Sequence, residues 1–255
     1  MCDIMLYIVG IGPGNKEYFT EQAESVLNSV DSIVCYKGYE KFIKRFNKPI
    51  YTSGMKKEID RVDYALKEAK NKNIALVSSG DATIYGMASL SYELNNKNNY
   101  NVDIEVISGL TSASLCSAIL GAPLNHDFAV ISLSDLLTPL DIILKRVNSL
   151  LMGDFVIAIY NPLSKSRKEP FLKCFEIIQN HSKQNNLNLV VGIVKNAGRD
   201  NEEYKMTTIN DLMDNLEEYM KYIDMNTTII VGSSNTKIIN NKMITPRGYL
   251  NKYLK

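Results

Sequence analysis

The residues able to do chemistry in this chain cluster where apolar runs give way to small polar ones. Val77-Ser-Ser-Gly-Asp-Ala-Thr-Ile-Tyr-Gly86 follows a β-type run and precedes a helical pattern beginning at Met87. A turn of this kind puts Ser79, Gly80 and Asp81 at the carboxyl end of a strand, the edge at which open α/β sheets bind ligands. Gly80 permits close backbone approach. Asp81 brings an acceptor or a charge; its plainer role is to cap the helix that follows. Two more junctions have the same character: Gly10-Ile-Gly-Pro-Gly14 after Ile4–Val9, and Ser108-Gly-Leu-Thr-Ser-Ala-Ser114 after Asp103–Ile107. On one sheet edge, the three would outline a pocket lined by small residues and backbone groups.

Positioning these loops takes regularly alternating elements. Ile4–Val9, Ser32–Tyr36 and 74–78 read as buried strands of a parallel sheet. Thr20 is placed to cap a helix through Leu27, a Lys-rich helix follows Tyr36, and 55–72 reads as a surface helix. Gly121-Ala-Pro-Leu-Asn-His-Asp127 looks like a break between domains, giving expected domains of 1–124 and 125–255. The alternation then restarts: a strand at 128–133, a helix that Pro139 would start, strands at 154–160, 189–194 and 227–232, and a helix to about Asn180. The fold class is therefore α/β, as two consecutive α/β domains.

Composition excludes several classes. The chain has 255 residues, 45% hydrophobic and 22% charged, with a net charge of +1, so no bulk field draws it to nucleic acid or an anionic membrane. No stretch approaches the roughly 20 apolar residues of a membrane span, and no signal peptide is evident. Cys2, Cys35, Cys116 and Cys174 lack metal-ligand spacing, and only His126 and His181 are available, so no metal site is expected. A nicotinamide-dinucleotide reading fits badly. The third glycine of the first loop comes one residue early, Pro13 removes a donor, and Tyr36-Lys37 stands where a ribose-binding acid is needed.

Gly10-Ile-Gly-Pro-Gly14, Ser79-Gly-Asp-Ala-Thr-Ile-Tyr-Gly86, Gly109-Leu-Thr-Ser-Ala-Ser114 and Tyr160-Asn-Pro-Leu163 resemble the tetrapyrrole (corrin/porphyrin) methyltransferases, across essentially the whole chain. Asn125–Pro139, Val194-Lys-Asn-Ala-Gly-Arg199 and Thr245-Pro-Arg-Gly248 resemble one branch in particular, the precorrin-3B or cobalt-factor III C17-methyltransferases of cobalamin synthesis, which contract the ring as they methylate it. Thr83 and Ser108 depart from the commoner Gly and Pro. The resemblance implies S-adenosyl-L-methionine as cofactor, leaving as S-adenosyl-L-homocysteine, in a cleft between two α/β domains. It carries cofactor contacts to Pro13, Ser79, Gly80, Asp81, Thr111, Ser112, Asn161 and Ala197. Methyl transfer from so reactive a donor needs alignment and electrostatics more than a strong base.

A substrate fringed with carboxylates, with or without cobalt, calls for Arg and Lys. Lys195, Arg199 and Arg247 are the candidates, with Lys165 and Arg167 behind them; a solvated basic surface is the plainer reading of Lys165 and Lys168. Ring contraction asks for a proton donor or acceptor, for which Asp81, Tyr85, His126 and Asp135 are available; a linker histidine bonded to backbone and a helix-capping Asp135 are the plainer readings. The resemblance also implies a homodimer, while Cys35 and Cys116, in apolar segments, read as buried, reduced thiols that fit a cytoplasmic protein. The alternative is another member of the superfamily, methylating a different tetrapyrrole position or a macromolecule in the manner of diphthine synthase.

Overall fold

The computed structural model describes residues 4–253, so Cys2 lies outside the described residues. The chain divides into two compact units, 1–112 and 113–255. The helix Ser112–Leu120 spans that division, and the Gly121–Asp127 stretch lies inside the second unit.

In the first unit, among the described residues, five strands form one sheet: β1 (Met5–Gly10), β2 (Ser32–Tyr36), β3 (Ile50–Ser53), β4 (Ile74–Ser78) and β5 (Asp103–Ile107). The order is β3-β2-β4-β1-β5 and every pairing is parallel. β1 and β4 are buried on both faces, as their unbroken apolar runs require: Leu6, Ile8 and Leu76 pack on one side, and Val9, Ala75 and Val77 on the other. Helices α1 (Glu21–Ser29), α2 (Glu40–Ile43), α3 (Glu58–Glu68) and α4 (Ala88–Lys97) complete the unit. Thr20 caps α1 by accepting from the Ala23 amide at 3.1 Å. The helix expected after Tyr36 is broken instead into 3-10 turns on either side of the one-turn α2, and Asn47, in a left-handed conformation, ends it. The expected helix over 55–72 is shorter, starting only at Glu58.

The second unit opens with the rest of α5 (Ser112–Leu120). Its main sheet comprises β7 (Phe128–Ser132), β8 (Val156–Tyr160), β9 (Val190–Lys195), β10 (Glu203–Thr208) and β11 (Thr227–Val231), in the order β10-β9-β11-β8-β7. Unlike the first sheet it is mixed: β7 and β8 are parallel, while β11 runs antiparallel to both β8 and β9, and β10 antiparallel to β9. A small sheet joins β6 (Gly121–Ala122), β12 (Lys237–Ile239) and β13 (Lys242–Ile244). Helices α6 (Leu140–Met152), α7 (Glu169–Gln184), α8 (Ile209–Asp214), α9 (Leu216–Tyr222) and α10 (Tyr249–Tyr253) make up the remainder. Pro139 occupies the cap before α6, one position earlier than expected, while Pro170 takes the first turn of α7. Phe171 and Phe175 stack at 4.4 Å at the centre of this unit's core.

Candidate functional site

Strand order decides which junctions meet. β1 lies between β4 and β5, with Gly10 opposite Ser78 and Val9 opposite Ile107. The three glycine-bearing loops therefore leave neighbouring strands at one carboxyl edge. Gly12 and Gly80 exchange amide hydrogen bonds at 3.1 and 2.8 Å, and the Ile11 amide donates to the Ser78 carbonyl at 3.0 Å. Here the backbones touch. A Cβ on Gly109 would strike the Gly80 carbonyl oxygen and come within 2.6 Å of the Gly10 carbonyl carbon. Gly80 is the opposite case: with φ at +66° it needs glycine for its conformation, yet a Cβ there would meet nothing within 4 Å. Its bare face is open space on the edge.

Asp81 ties these loops together. One carboxylate oxygen accepts from the Thr83 amide at 2.8 Å and from the Thr83 hydroxyl, and the other accepts from the Gly109 amide at 3.0 Å. Burial pushes its carboxyl up, but those donors and the Ser108 hydroxyl outweigh it and hold the group below the ordinary carboxylate value. Asp81 thus stands as a bound anion with both oxygens engaged. The departure at Thr83 adds one of these bonds, the hydroxyl's, since a glycine there would still offer its amide.

The other first-unit candidates share this edge. Pro13 is buried in the first loop, Thr111 and Ser112 follow β5, and the Ser79 hydroxyl donates to the Tyr39 hydroxyl at 3.0 Å. Tyr85, in a left-handed turn, is 58% exposed.

In the second unit, β7, β8 and β9 run the same way, so Ser132, Asn161 and Ala197 come from ends at a common edge. Asn161, left-handed at φ 51°, donates through its side-chain amide to the Ser132 hydroxyl at 2.9 Å. Tyr160 accepts from the Ala113 amide at the start of α5 at 2.7 Å. Ser132 and Tyr160 are not among the candidates named from the sequence; both stand at strand ends, and Tyr160 opens the Tyr160–Leu163 motif.

The charged candidates are largely committed to local partners. Lys195 pairs with Asp224 at 3.1 Å and donates to the Tyr222 carbonyl at 3.1 Å. Asp135 pairs with Arg167 at 3.3 Å, which draws that arginine out of the solvated basic loop. Arg199 donates to the Asn226 side-chain oxygen at 3.4 Å. The His126 ring accepts from the Asp127 amide at 2.7 Å on an exposed turn. Arg247 is exposed and, among the described residues, forms no ion pair. Lys165 and Lys168 are exposed as well.

Among the described residues no group of His, Cys, Asp and Glu is arranged to hold a metal, and no helix is long and apolar enough to cross a membrane. Burial pushes the thiols of Cys35, Cys116 and Cys174 up to about 12, so they are inert.

Residues 5–213 match the family model of tetrapyrrole (corrin/porphyrin) methylases. A probable cobalt-factor III C(17)-methyltransferase of Methanocaldococcus jannaschii is 66% identical over 249 residues, covering 98% of this chain and 99% of that one. A protein of the same name from Salmonella typhimurium is 41% identical, covering 96% and 99%. Among solved structures, the methyltransferase CobJ aligns with a TM-score of 0.87 at 29% identity, covering 95% of this chain and 99% of that one.

Proposed function

The chain belongs to the tetrapyrrole (corrin/porphyrin) methylases, and on that footing we propose that it methylates C17 of cobalt-factor III, contracting the ring in cobalamin synthesis. The observation that carries this reading is the 66% identity, over nearly the full length of both chains, to a protein bearing that activity in its name. Precorrin-3B, the cobalt-free counterpart, is the substrate to compare.

S-adenosyl-L-methionine supplies the electrophilic methyl when bound. The first-unit edge fits such a ligand. Gly80 leaves open space, and Asp81 spends its charge on holding the loops rather than on the ligand. Ser79, Gly80, Pro13, Thr111 and Ser112 would meet the cofactor there, and Asp81 would act by fixing that edge; Asn161 and Ala197 are carried as cofactor contacts by the family resemblance alone. An edge rich in backbone groups suits a sulfonium that needs placement rather than a base.

Of the charged candidates, Arg247 and Arg199 are the ones to meet substrate carboxylates, since a guanidinium binds them in two-point fashion. Lys195 would orient Tyr222 and Asp224 instead. The proton donor or acceptor for ring contraction would come from Tyr85, His126 or Asp135, of which Tyr85 lies on the central motif. We further propose that the enzyme works as a homodimer in the cytoplasm, where its thiols stay reduced.

The test is an anaerobic turnover assay with S-adenosyl-L-methionine and each macrocycle, read by mass spectrometry. One added methyl with ring contraction, faster on the cobalt form, is expected. Tight S-adenosyl-L-homocysteine binding with no turnover of either macrocycle would leave the family and discard the substrate.

A further inference from the structure

One polar group on the first sheet's edge has a proton still to give. Tyr39 closes the short turn after β2, and Ser79 donates its hydroxyl proton to the Tyr39 oxygen at 3.0 Å. A phenol carries one proton of its own. With the Ser79 hydroxyl as donor, no other described residue accepts it.

The ring is firmly held. Tyr36 packs edge-on against it, with centroids 5.2 Å apart and planes at 82°. Behind Tyr36 lies Arg61, only 4% exposed, 6.0 Å from that ring. Arg61 is fixed in turn by the Ser53 hydroxyl at 2.7 Å and the Gly54 carbonyl at 3.3 Å. A buried arginine and two packed tyrosines thus stiffen the turn that carries a spare donor. Beside it, Ser79 leads directly into Gly80 and its open face.

We propose that Tyr39 orients the substrate: it accepts from Ser79 and donates its own proton to a carboxylate oxygen on the rim of the tetrapyrrole. The assignment rests on the function proposed above. An ionised carboxylate only accepts, and an O–H donor to it makes one of the stronger hydrogen bonds available. Holding the phenol rigid beforehand lowers the entropy lost on binding. The cofactor's own carboxylate is the competing acceptor, and the experiment separates the two.

Tyr39→Phe keeps the ring and its contact with Tyr36 but removes the proton. The expected result is a rise of about tenfold in KM for cobalt-factor III, with kcat and the affinity for S-adenosyl-L-homocysteine little changed. Tyr39→His, which restores a ring donor, should recover part of the loss. A fall in S-adenosyl-L-homocysteine affinity with KM for the macrocycle unmoved would assign the proton to the cofactor and overturn the proposal. So would a variant with wild-type values of both. Wild-type protein that binds S-adenosyl-L-homocysteine but turns over no macrocycle removes the function and this role together, and that result precedes any variant.

Discussion

The two strand-end edges are built by opposite means. In the first unit, side chains are excluded: Gly10 and Gly109 let three loops into backbone contact, and a single carboxylate, Asp81, ties them. In the second unit, side chains do the tying: Asn161 to Ser132, Tyr160 to Ala113, Lys195 to Asp224 and Arg167 to Asp135. The reason lies in the sheets. Parallel neighbours bring all their carboxyl ends, and hence all their loops, to one edge, where they must pass each other closely. In the mixed sheet β11 runs the other way between β8 and β9, which spaces their loops apart and leaves room for side-chain bridges. An edge made by exclusion should be brittle to added atoms, and one made by bridges tolerant of losing any one of them.

Substitutions can break that contrast, the most damaging first. Gly109→Ala forces a methyl into the Gly80 and Gly10 backbone, and neither can move without disturbing β1. A loss of about 3 kcal/mol in urea unfolding is expected; a cost near zero would show that the backbone contact is not limiting.

Asp81→Asn should cost about 2 kcal/mol, since bonds to a charged acceptor are replaced by weaker ones. Because the folded carboxyl lies below its ordinary value, its contribution is fully present above about pH 4 and is lost as pH falls through the folded value. The wild-type stability curve should therefore fall more steeply with acid than that of the Asn variant; parallel curves would remove Asp81 from the role of tie.

Gly80→Ala separates stability from binding. The methyl enters open space, so the cost is mainly that of a left-handed alanine, about 1 kcal/mol. Calorimetry should nonetheless register a large loss of S-adenosyl-L-homocysteine affinity, because the methyl fills the face offered to the ligand. Retained affinity would place the cofactor elsewhere.

The smallest stability effect is expected in the second unit. Lys195→Met breaks a half-exposed ion pair worth under about 1 kcal/mol. Its KM for the macrocycle should also move less than that of Arg247→Met, which steady-state kinetics can compare directly. A larger KM change at Lys195 would return that lysine to the substrate.

Much of this was readable before any fold was known. The strands at 32–36, 74–78 and 103–107, the Thr20 cap and the run of glycine-bearing junctions are local: they depend on apolar pattern and turn chemistry within a few residues. The likeness of those junctions to one methyltransferase family was legible for the same reason, since a loop that must pass close to other backbone tolerates few residue types.

What tertiary structure alone decided was partnership. An unbroken apolar run such as Thr227–Val231 states that a strand is buried, not which way its neighbours run, so the mixed second sheet was invisible. Glu203–Thr208, an edge strand with exposed Tyr204, carries too weak a pattern to announce itself. The same holds for the charges. Lys195 and Asp224, Asp135 and Arg167, and Ser79 and Tyr39 meet across 29 to 40 residues of chain. A side chain's type fixes what it can bond, but only the folded path of the backbone fixes which of its possible partners lies within bonding reach.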